Sequence, residues 1–452
     1  MGVARHWRVM HLFYNMLIIL ALPVLLVYFG YRWLRGKSRE GWAERMGYLP
    51  VFSGEHPIWV HAVSAGEAVA AEAVVRALRE RLPDVPILYT AGTPEGRATA
   101  RKRMGSLLTH VAYAPYDLPW AVARAMDRVR PRLYLLVESD LWPNLLQAAA
   151  VRGVPAMLAN GYISERTLRR GRLVPALYRW IFGNLCSICV QTEAVRRRAL
   201  ALHAVPERVC VVGNVKYDQA TAPLTNEEAT RWRALFRLRP DEPVLVAGST
   251  HPGEEEKVLA AYTEMRASGI APRLILAPRH PQRAEEVEAL VHHAGFACVR
   301  RSHLGEGSGA APDPEAVILL DTMGELAGVF SLATVVFLGG SLVPVGGHDI
   351  LQPLIAGKPV LLGPYTHRQR EIVEDALDAG VVWVVATPQE LARRSLELMK
   401  DAGSGDGYAT NAVSFVSGRR GASQRCAEEA ARLSGEMQPL RTHGVGKAVG
   451  KS

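Results

Sequence analysis

The side chains able to do chemistry in this chain cluster just after short apolar runs. Ser64 and Glu67 follow one such run, and Glu138-Ser139-Asp140 closes "RLYLLVE". Asn160, and Asn214 with Lys216, close later ones. In the second half Ser249-Thr250, Arg279-His280, Asp321-Thr322 with Glu325, and the stretch "GGSLVPVGGHD" at 339–349 stand in the same position. A glycine-rich turn that feeds a helix N-terminus offers backbone N–H groups to a phosphate. Together with Arg279 and Glu325 on neighbouring strand ends, it suggests a nucleotide monophosphate or a sugar nucleotide as ligand. Structural alternatives stand beside each of these. Ser64 and Glu67 have the S-x-x-E spacing of a capping box, and so have Thr322 and Glu325. Thr250, Pro252 and Glu254–Glu256 read as an ordinary helix start. Whether Glu67 caps a helix or does chemistry depends on the elements around it.

Those elements alternate. "IWVHAV", "PILYTA", "HVAYAP", "RLYLLVE", "PAMLAN", "SICVQT" and "RVCVVG" are separated by helical stretches in the first half, and "PVLVAGS", "RLILAP", "AVILLD", "VVFLGG", "PVLLG" and "VVWVV" in the second. Continuous Val/Ile/Leu runs of this kind are parallel strands covered on both faces. The expected fold class is α/β, with two doubly wound Rossmann-like domains. Ligands of such domains sit outside the carboxyl ends of the strands, where the polar residues collect. A break falls near "DQATAPLTNEEATRW" (218–232), giving domains over 38–222 and 223–434, with a flexible tail at 435–452. "SHLGEGSGAAPDPE" (302–315) reads as a loop inside the second domain.

A chain of 452 residues, 49% hydrophobic and 21% charged, is long enough for two cores and is not disordered. The net charge of +9 suits an anionic partner, but no nucleic-acid-binding motif accompanies it. Five cysteines do not form a disulfide framework; Cys186 and Cys189 read as core thiols, and no metal site is expected. Residues 9–31 contain no Lys, Arg, Asp or Glu, and about 20 apolar residues span a bilayer core. Trp7, Tyr28, Tyr31 and Trp33 stand at the flanks. Residues 1–37 therefore read as a retained transmembrane anchor. Arg32, Arg35, Lys37 and Arg39 after it, against Arg5 and Arg8 before it, place the remainder on the cytoplasmic side of the membrane. The alternative is a hydrophobic helix docked on its own domain. A basic and aromatic stretch (165–185), with Arg166, Arg169, Arg170 and Arg172 beside Leu173, Leu177, Trp180, Ile181 and Phe182, suits either a lipid face or a core-facing helix.

"HAVSAGE" (61–67), "ESDLWPN" (138–144), "SER" (164–166), "GNVKYD" (213–218), "AGSTHPGEE" (247–255), "APRHPQR" (277–283), "DTMGEL" (321–326) and "GGSLVPVGGHDILQP" (339–353) occur in the order found in 3-deoxy-D-manno-octulosonic acid (Kdo) transferases, and the chain resembles that family. The resemblance implies a GT-B fold with its two domains facing across a cleft, CMP-Kdo as donor, and lipid A or its tetraacylated precursor as acceptor. It implies an inverting, metal-independent transfer that needs no cofactor. By the same resemblance Glu67 is the general base, and Glu138 and Lys216 stabilise the transition state. Pro278, Arg279, Met323, Gly324, Glu325, Asp349, Ile350, Leu351 and Gln352 would contact CMP. Asp349 and Gln352 depart from the family's Asn and Glu, so a neutral amide stands where a charged ribose acceptor is usual. The alternatives are a relative using another CMP-activated ulosonic acid or another acceptor, and a non-catalytic lipid A-binding protein.

Overall fold

The computed structural model describes residues 2–34, 40–52, 54–138, 140–305, 313, 315–401 and 406–435. It divides into two compact units, residues 1–219 with 420–452, and residues 220–419.

The first unit is built on seven parallel strands: β1 (Ile58–His61), β2 (Ile87–Ala91), β3 (His110–Tyr113), β4 (Leu133–Val137), β5 (Ala156–Gly161), β6 (Ser187–Val190) and β7 (Val209–Val211). Their order across the sheet is β3-β2-β1-β4-β5-β6-β7. Every residue of β1, β2, β4, β5 and β6 is buried, whereas the edge strands β3 and β7 are partly open. Helices cover both faces, so the inner strands can be apolar without interruption. The order reverses between β1 and β4, and a crevice opens there at the carboxyl ends.

The second unit repeats the plan with β8 (Val244–Thr250), β9 (Arg273–Pro278), β10 (Cys298–Arg300), β11 (Val317–Leu319), β12 (Val335–Leu338), β13 (Val360–Leu362) and β14 (Val382–Val384), ordered β10-β11-β9-β8-β12-β13-β14. Here the reversal lies between β8 and β12. The expected two-unit α/β architecture is present, and its break falls three residues before the expected one. The helix Asn226–Leu235 then opens the second unit's fold with a capping box of Thr225 and Glu228.

The C-terminal helix Ala422–Gly435 belongs to the first unit rather than to the second, where the sequence reading placed it. Asp218 accepts from the backbone N–H of Gly421 (2.6 Å) and Ser423 (2.7 Å), and Arg425 donates to the carbonyl of Val212. Ala422, Cys426, Ala427, Ala430 and Leu433 then pack into the same core as the helix Ala65–Arg81. Both helices present small side chains, which lets them approach closely. Residues 436–452 of the expected tail, and most of 302–315, lie outside the described residues.

The segment read as an anchor forms one helix, Gly2–Leu34. Among the described residues no helix is long and apolar enough to cross a membrane. The side chains at 2–8, 25, 26, 28, 29, 32 and 33, and all of 35–39, lie outside the described residues, and with them most of the flanking charges and aromatics. What is described of this helix docks on the first unit through polar groups. Asn15 and Asn144 exchange two amide hydrogen bonds (3.1 and 2.8 Å), and the Tyr14 hydroxyl donates to Asp117 (3.0 Å). Asp117 also accepts from the first N–H groups of the helix Pro143–Val151, at Asn144 and Leu145. His11 and Tyr14 lie over Trp180, which is completely buried. Asn15 sits where an unpaired amide would be costly, and its partner removes that cost. The other side of the helix, including Leu12, Phe13, Leu20, Val24 and Val27, is exposed.

Stretch 165–185 divides between its two readings. It forms two helices, Glu165–Gly171 and Pro175–Gly183. Trp180, Ile181 and Phe182 are core, while Arg166, Arg169, Arg170 and Arg172 are exposed beside Leu173, which is 81% exposed.

Candidate active site

In the first unit Glu67 is the third residue of the helix that follows β1. Its Oε2 accepts from the backbone N–H of Val63 (2.7 Å) and Ser64 (2.9 Å), and the Ser64 hydroxyl accepts from the N–H of Glu67 (3.3 Å). The capping box is therefore formed. It uses one carboxylate oxygen only. Oε1 has no hydrogen-bond partner among the described residues, so the cap fixes the carboxylate and leaves its second oxygen for chemistry.

Glu138 follows β4, on the other side of the reversal. Its φ of 68° is a left-handed conformation that a side chain adopts only where the surroundings enforce it. Its N–H donates to the carbonyl of Ala159 (3.0 Å) and its carbonyl accepts from Tyr162 (3.1 Å), and these clamp it. Burial raises the Glu138 pKa, and the Lys216 ammonium opposes that rise. Asp140 is pushed up to about 6, by burial first and by the charge of Glu67 second. Both Glu138 and Asp140 feel Glu67, so the three carboxylates share one neighbourhood, with the Lys216 cation among them.

A polar chain positions Lys216. Asn160, buried and also left-handed (φ 53°), donates from its side chain to Glu138 (3.3 Å) and accepts from the Val215 N–H (3.2 Å). Gln191 donates to the Asn160 carbonyl (3.0 Å) and accepts from Asn214 (3.0 Å), whose Oδ1 in turn accepts from the Lys216 N–H (3.0 Å). The ends of β4, β5, β6 and β7 are thus tied into one set. Gln191 was not singled out in the sequence, because a Gln after a strand carries no spacing signal. Beside Glu138 and Asp140 opens a pocket of roughly 240 Å³ whose remaining walls include Leu141, Trp142, Ile163, Ile181 and Phe182. An apolar pocket with a carboxylate mouth suits an amphipathic ligand.

His61, at the end of β1, is completely enclosed and is held at a pKa of about 4 by burial. Thr90 Oγ1, which accepts from the Trp59 indole (2.8 Å), lies 2.9 Å from His61 Nδ1. The folded pKa lies below the unfolded value of about 6.5. The folded form therefore binds fewer protons over that interval, and His61 withdraws stability as pH falls from about 6.5 to about 4. Asp117 and Asp140, both raised to about 6, act in the opposite sense below that pH. The His61 imidazole resonances are expected to stay at their neutral position down to about pH 4; a midpoint near 6.5 by NMR would show the ring to be solvated.

In the second unit the glycine-rich loop after β12 is organised by Glu254, a residue read from sequence as part of a helix start. Its carboxylate is completely buried. It accepts four backbone N–H bonds, from His251 (2.9 Å), Gly340 (2.6 Å), Ser341 (3.0 Å) and Leu342 (2.8 Å). Gly339 lies so close to the end of β8 that a Cβ there would stand 2.5 Å from the Ser249 carbonyl oxygen, which requires glycine. His251 and His348 lie against this loop with their Nε2 atoms 2.8 Å apart.

The expected nucleotide contacts lie along the carboxyl edge of this sheet. Pro278 ends β9, and Arg279 follows it, exposed, with no side-chain hydrogen bond or ion pair among the described residues. Met323 and Gly324 are exposed on the turn after β11. Glu325 accepts from Arg301 (2.9 Å) and from the Thr322 hydroxyl. Asp349 closes a turn by accepting from the Leu351 N–H (3.0 Å), and Gln352 accepts from Thr221 (2.8 Å). Ile350 and Leu351 are completely buried, so only their backbone can meet a ligand. Cys186 is exposed, not a core thiol; the buried Cys189 has Cys210 as its neighbour (3.3 Å).

Two parallel α/β units with polar residues gathered at the carboxyl ends of their strands define the two-unit α/β class of fold, and the comparisons give the family within it. Residues 40–219 match the family described as 3-deoxy-D-manno-octulosonic-acid transferase (kdotransferase). The chain is 32% identical to a 3-deoxy-D-manno-octulosonic acid transferase of Haemophilus influenzae over 93% of this chain and 97% of that one. It is 33% identical to the Bordetella pertussis transferase of the same name, over 82% and 85%. The crystal structure of a UDP-GlcNAc 2-epimerase from Neisseria meningitidis shares the fold, with a TM-score of 0.54 at 12% identity over 83% of this chain and 99% of that one. The chain belongs to the Kdo transferase family.

Proposed function

We propose that this protein transfers Kdo from CMP-Kdo to a lipid A-type acceptor, by direct displacement that inverts the anomeric centre. Glu67 Oε1 accepts the proton of the attacking hydroxyl, while Oε2 remains in the cap. That division of one carboxylate is the observation that carries the reading. The negative charge of Glu138 and its neighbours stabilises an oxocarbenium-like transition state, and Lys216 favours the ionised form of Glu138 against the effect of its burial. CMP departs as an anion, and Arg279 receives that charge together with N–H groups of the loop other than those that Glu254 holds at Gly340, Ser341 and Leu342. These protein groups suffice for a single phosphate, so the reaction is written without a metal or cofactor.

The acceptor side is supported by the apolar pocket beside Asp140 and by the exposed arginines around Leu173, which suit the acyl chains and phosphates of such a lipid. The same surface, with the open face of the N-terminal helix, suits residence at the cytoplasmic surface of a bacterial inner membrane.

Incubation with CMP-Kdo and the tetraacylated lipid A precursor is expected to yield product heavier by Kdo in mass spectrometry; no such product from folded, CMP-binding protein would overturn the acceptor or the sugar. Arg279→Ala is expected to weaken CMP binding by about 10- to 150-fold, the worth of a charge-assisted hydrogen bond of roughly 1.5–3 kcal/mol. Unchanged affinity in calorimetry would remove Arg279 from the phosphate site.

A further inference from the structure

The His251–His348 contact has an unusual geometry. Their ring planes are 5° apart, their centroids 5.1 Å apart, and their Nε2 atoms 2.8 Å apart. The imidazoles therefore lie head to head in one plane, joined by one N–H···N bond. Only one proton fits between them. One ring donates from Nε2 and the other accepts, so the pair is either neutral or carries a single charge, and two imidazolium rings would present donor to donor.

The surroundings hold the pair neutral. Arg279 and His280 come from the end of β9, Arg283 from the short helix after it, and Arg368 from the loop after β13, and all of these repel a proton on the pair. His280 stands edge-on to His251, 5.8 Å away. On the acidic side Glu254 favours the proton, but its oxygens are taken by four N–H groups, while Glu255 and Glu286 are paired with Arg283. Lys257 donates to the Leu342 carbonyl (3.1 Å) on the same loop. Gly340, at φ 67°, passes so close that a Cβ on it would stand 3.1 Å from His348 Nε2. The pair thus lies directly against the glycine-rich loop.

We infer that His251 and His348 form a one-proton acceptor that becomes cationic when a nucleotide phosphate occupies this loop. The inference rests on the reading of the second unit as the CMP site. An added anion reverses the balance of cations that excludes the proton, and solvent supplies it. The gain matters most as the donor breaks. The bond between the anomeric carbon and the phosphate oxygen gives its electron pair to that oxygen, so a phosphodiester with one charge becomes a monoester with two. The acceptor's oxygen makes the new bond, and its own proton goes to the general base. The protonated pair offsets the extra negative charge on CMP. Its low starting point is consistent with this, since burial and the neighbouring cations hold His348 at about 4 and His251 below the usual range.

The test is calorimetric titration of the full chain with CMP in buffers of different ionisation heat. The pH is set above the second ionisation of the phosphate, which is about 6. Wild type is expected to take up close to one proton per CMP bound. Affinity should rise about tenfold for each pH unit lowered between the free and bound pKa values of the pair. His348→Gln keeps a hydrogen-bonding side chain but cannot be charged. It should bind CMP more weakly, with no proton uptake; His251→Gln should do the same. CMP binding by wild type without proton uptake, or uptake that persists in both variants, would overturn the inference and leave the CMP site standing. Absence of CMP binding by wild type would instead overturn the donor-site reading on which it rests.

Discussion

Glu67→Gln is expected to lower sugar transfer by about 10²–10⁴-fold, the usual contribution of a general base, and to leave the unfolding transition of the protein almost unmoved. The cap explains the second half of this result. The side-chain oxygen of Gln can accept from Val63 and Ser64 as Oε2 of Glu67 does at 2.7 and 2.9 Å, and a capping box closes equally well with Gln. The first half follows from the unpartnered oxygen. There Gln presents an amide that cannot take a proton. CMP affinity should also be kept, because the proposed nucleotide contacts all belong to the second unit. Folded Glu67→Gln protein with wild-type turnover would reduce Glu67 to a helix cap and leave the proposed mechanism without its base.

The same substitution at Glu254 should give the opposite profile. Each Glu254 oxygen accepts two backbone N–H bonds in a completely buried place. Gln keeps one of those oxygens and turns an NH₂ group toward the two N–H groups that the other had satisfied. Two orphaned donors at about 1–3 kcal/mol each put the loss at roughly 2–6 kcal/mol, a large part of the 5–15 kcal/mol that holds a typical domain. Chemical denaturation should show the second unit unfolding early. Any protein that remains folded should bind CMP weakly, since the loop that Glu254 holds is the proposed phosphate site. A Glu254→Gln variant as stable as wild type would mean that the loop's N–H groups find other acceptors, and that this carboxylate does not organise it.

The contrast between these two glutamates marks what could be read without coordinates. The strand runs and their capped helices were legible, because parallel strands covered on both faces are written as unbroken apolar stretches, and Thr225 and Glu228 announce the helix that opens the second unit. The position of the polar residues at the carboxyl ends followed from the same pattern, and the family's motifs gave Glu67, Glu138, Lys216 and Arg279 their expected roles.

Residues whose meaning depends on distant neighbours were not legible. Glu67 and Glu254 both sit at a helix start after a strand, and in sequence they look alike. Glu254 becomes the organiser of a loop nearly ninety positions away only because β8 and β12 are neighbours in the sheet. His251 and His348 meet for the same reason. The N-terminal segment reads as continuously apolar, yet Asn15 pairs with Asn144 and docks its described part on the first unit. The helix 422–435 returns to a core formed more than two hundred residues earlier because Asp218 and Val212 capture its first turn. Local sequence sets which backbone conformation is cheap and which face is apolar, and so it determined the elements and their edges. Pairing a buried polar group with its partner depends on which strands are adjacent, so the tertiary structure alone decided that Glu254 organises a distant loop, that one oxygen of Glu67 stays outside its cap, and which histidines meet.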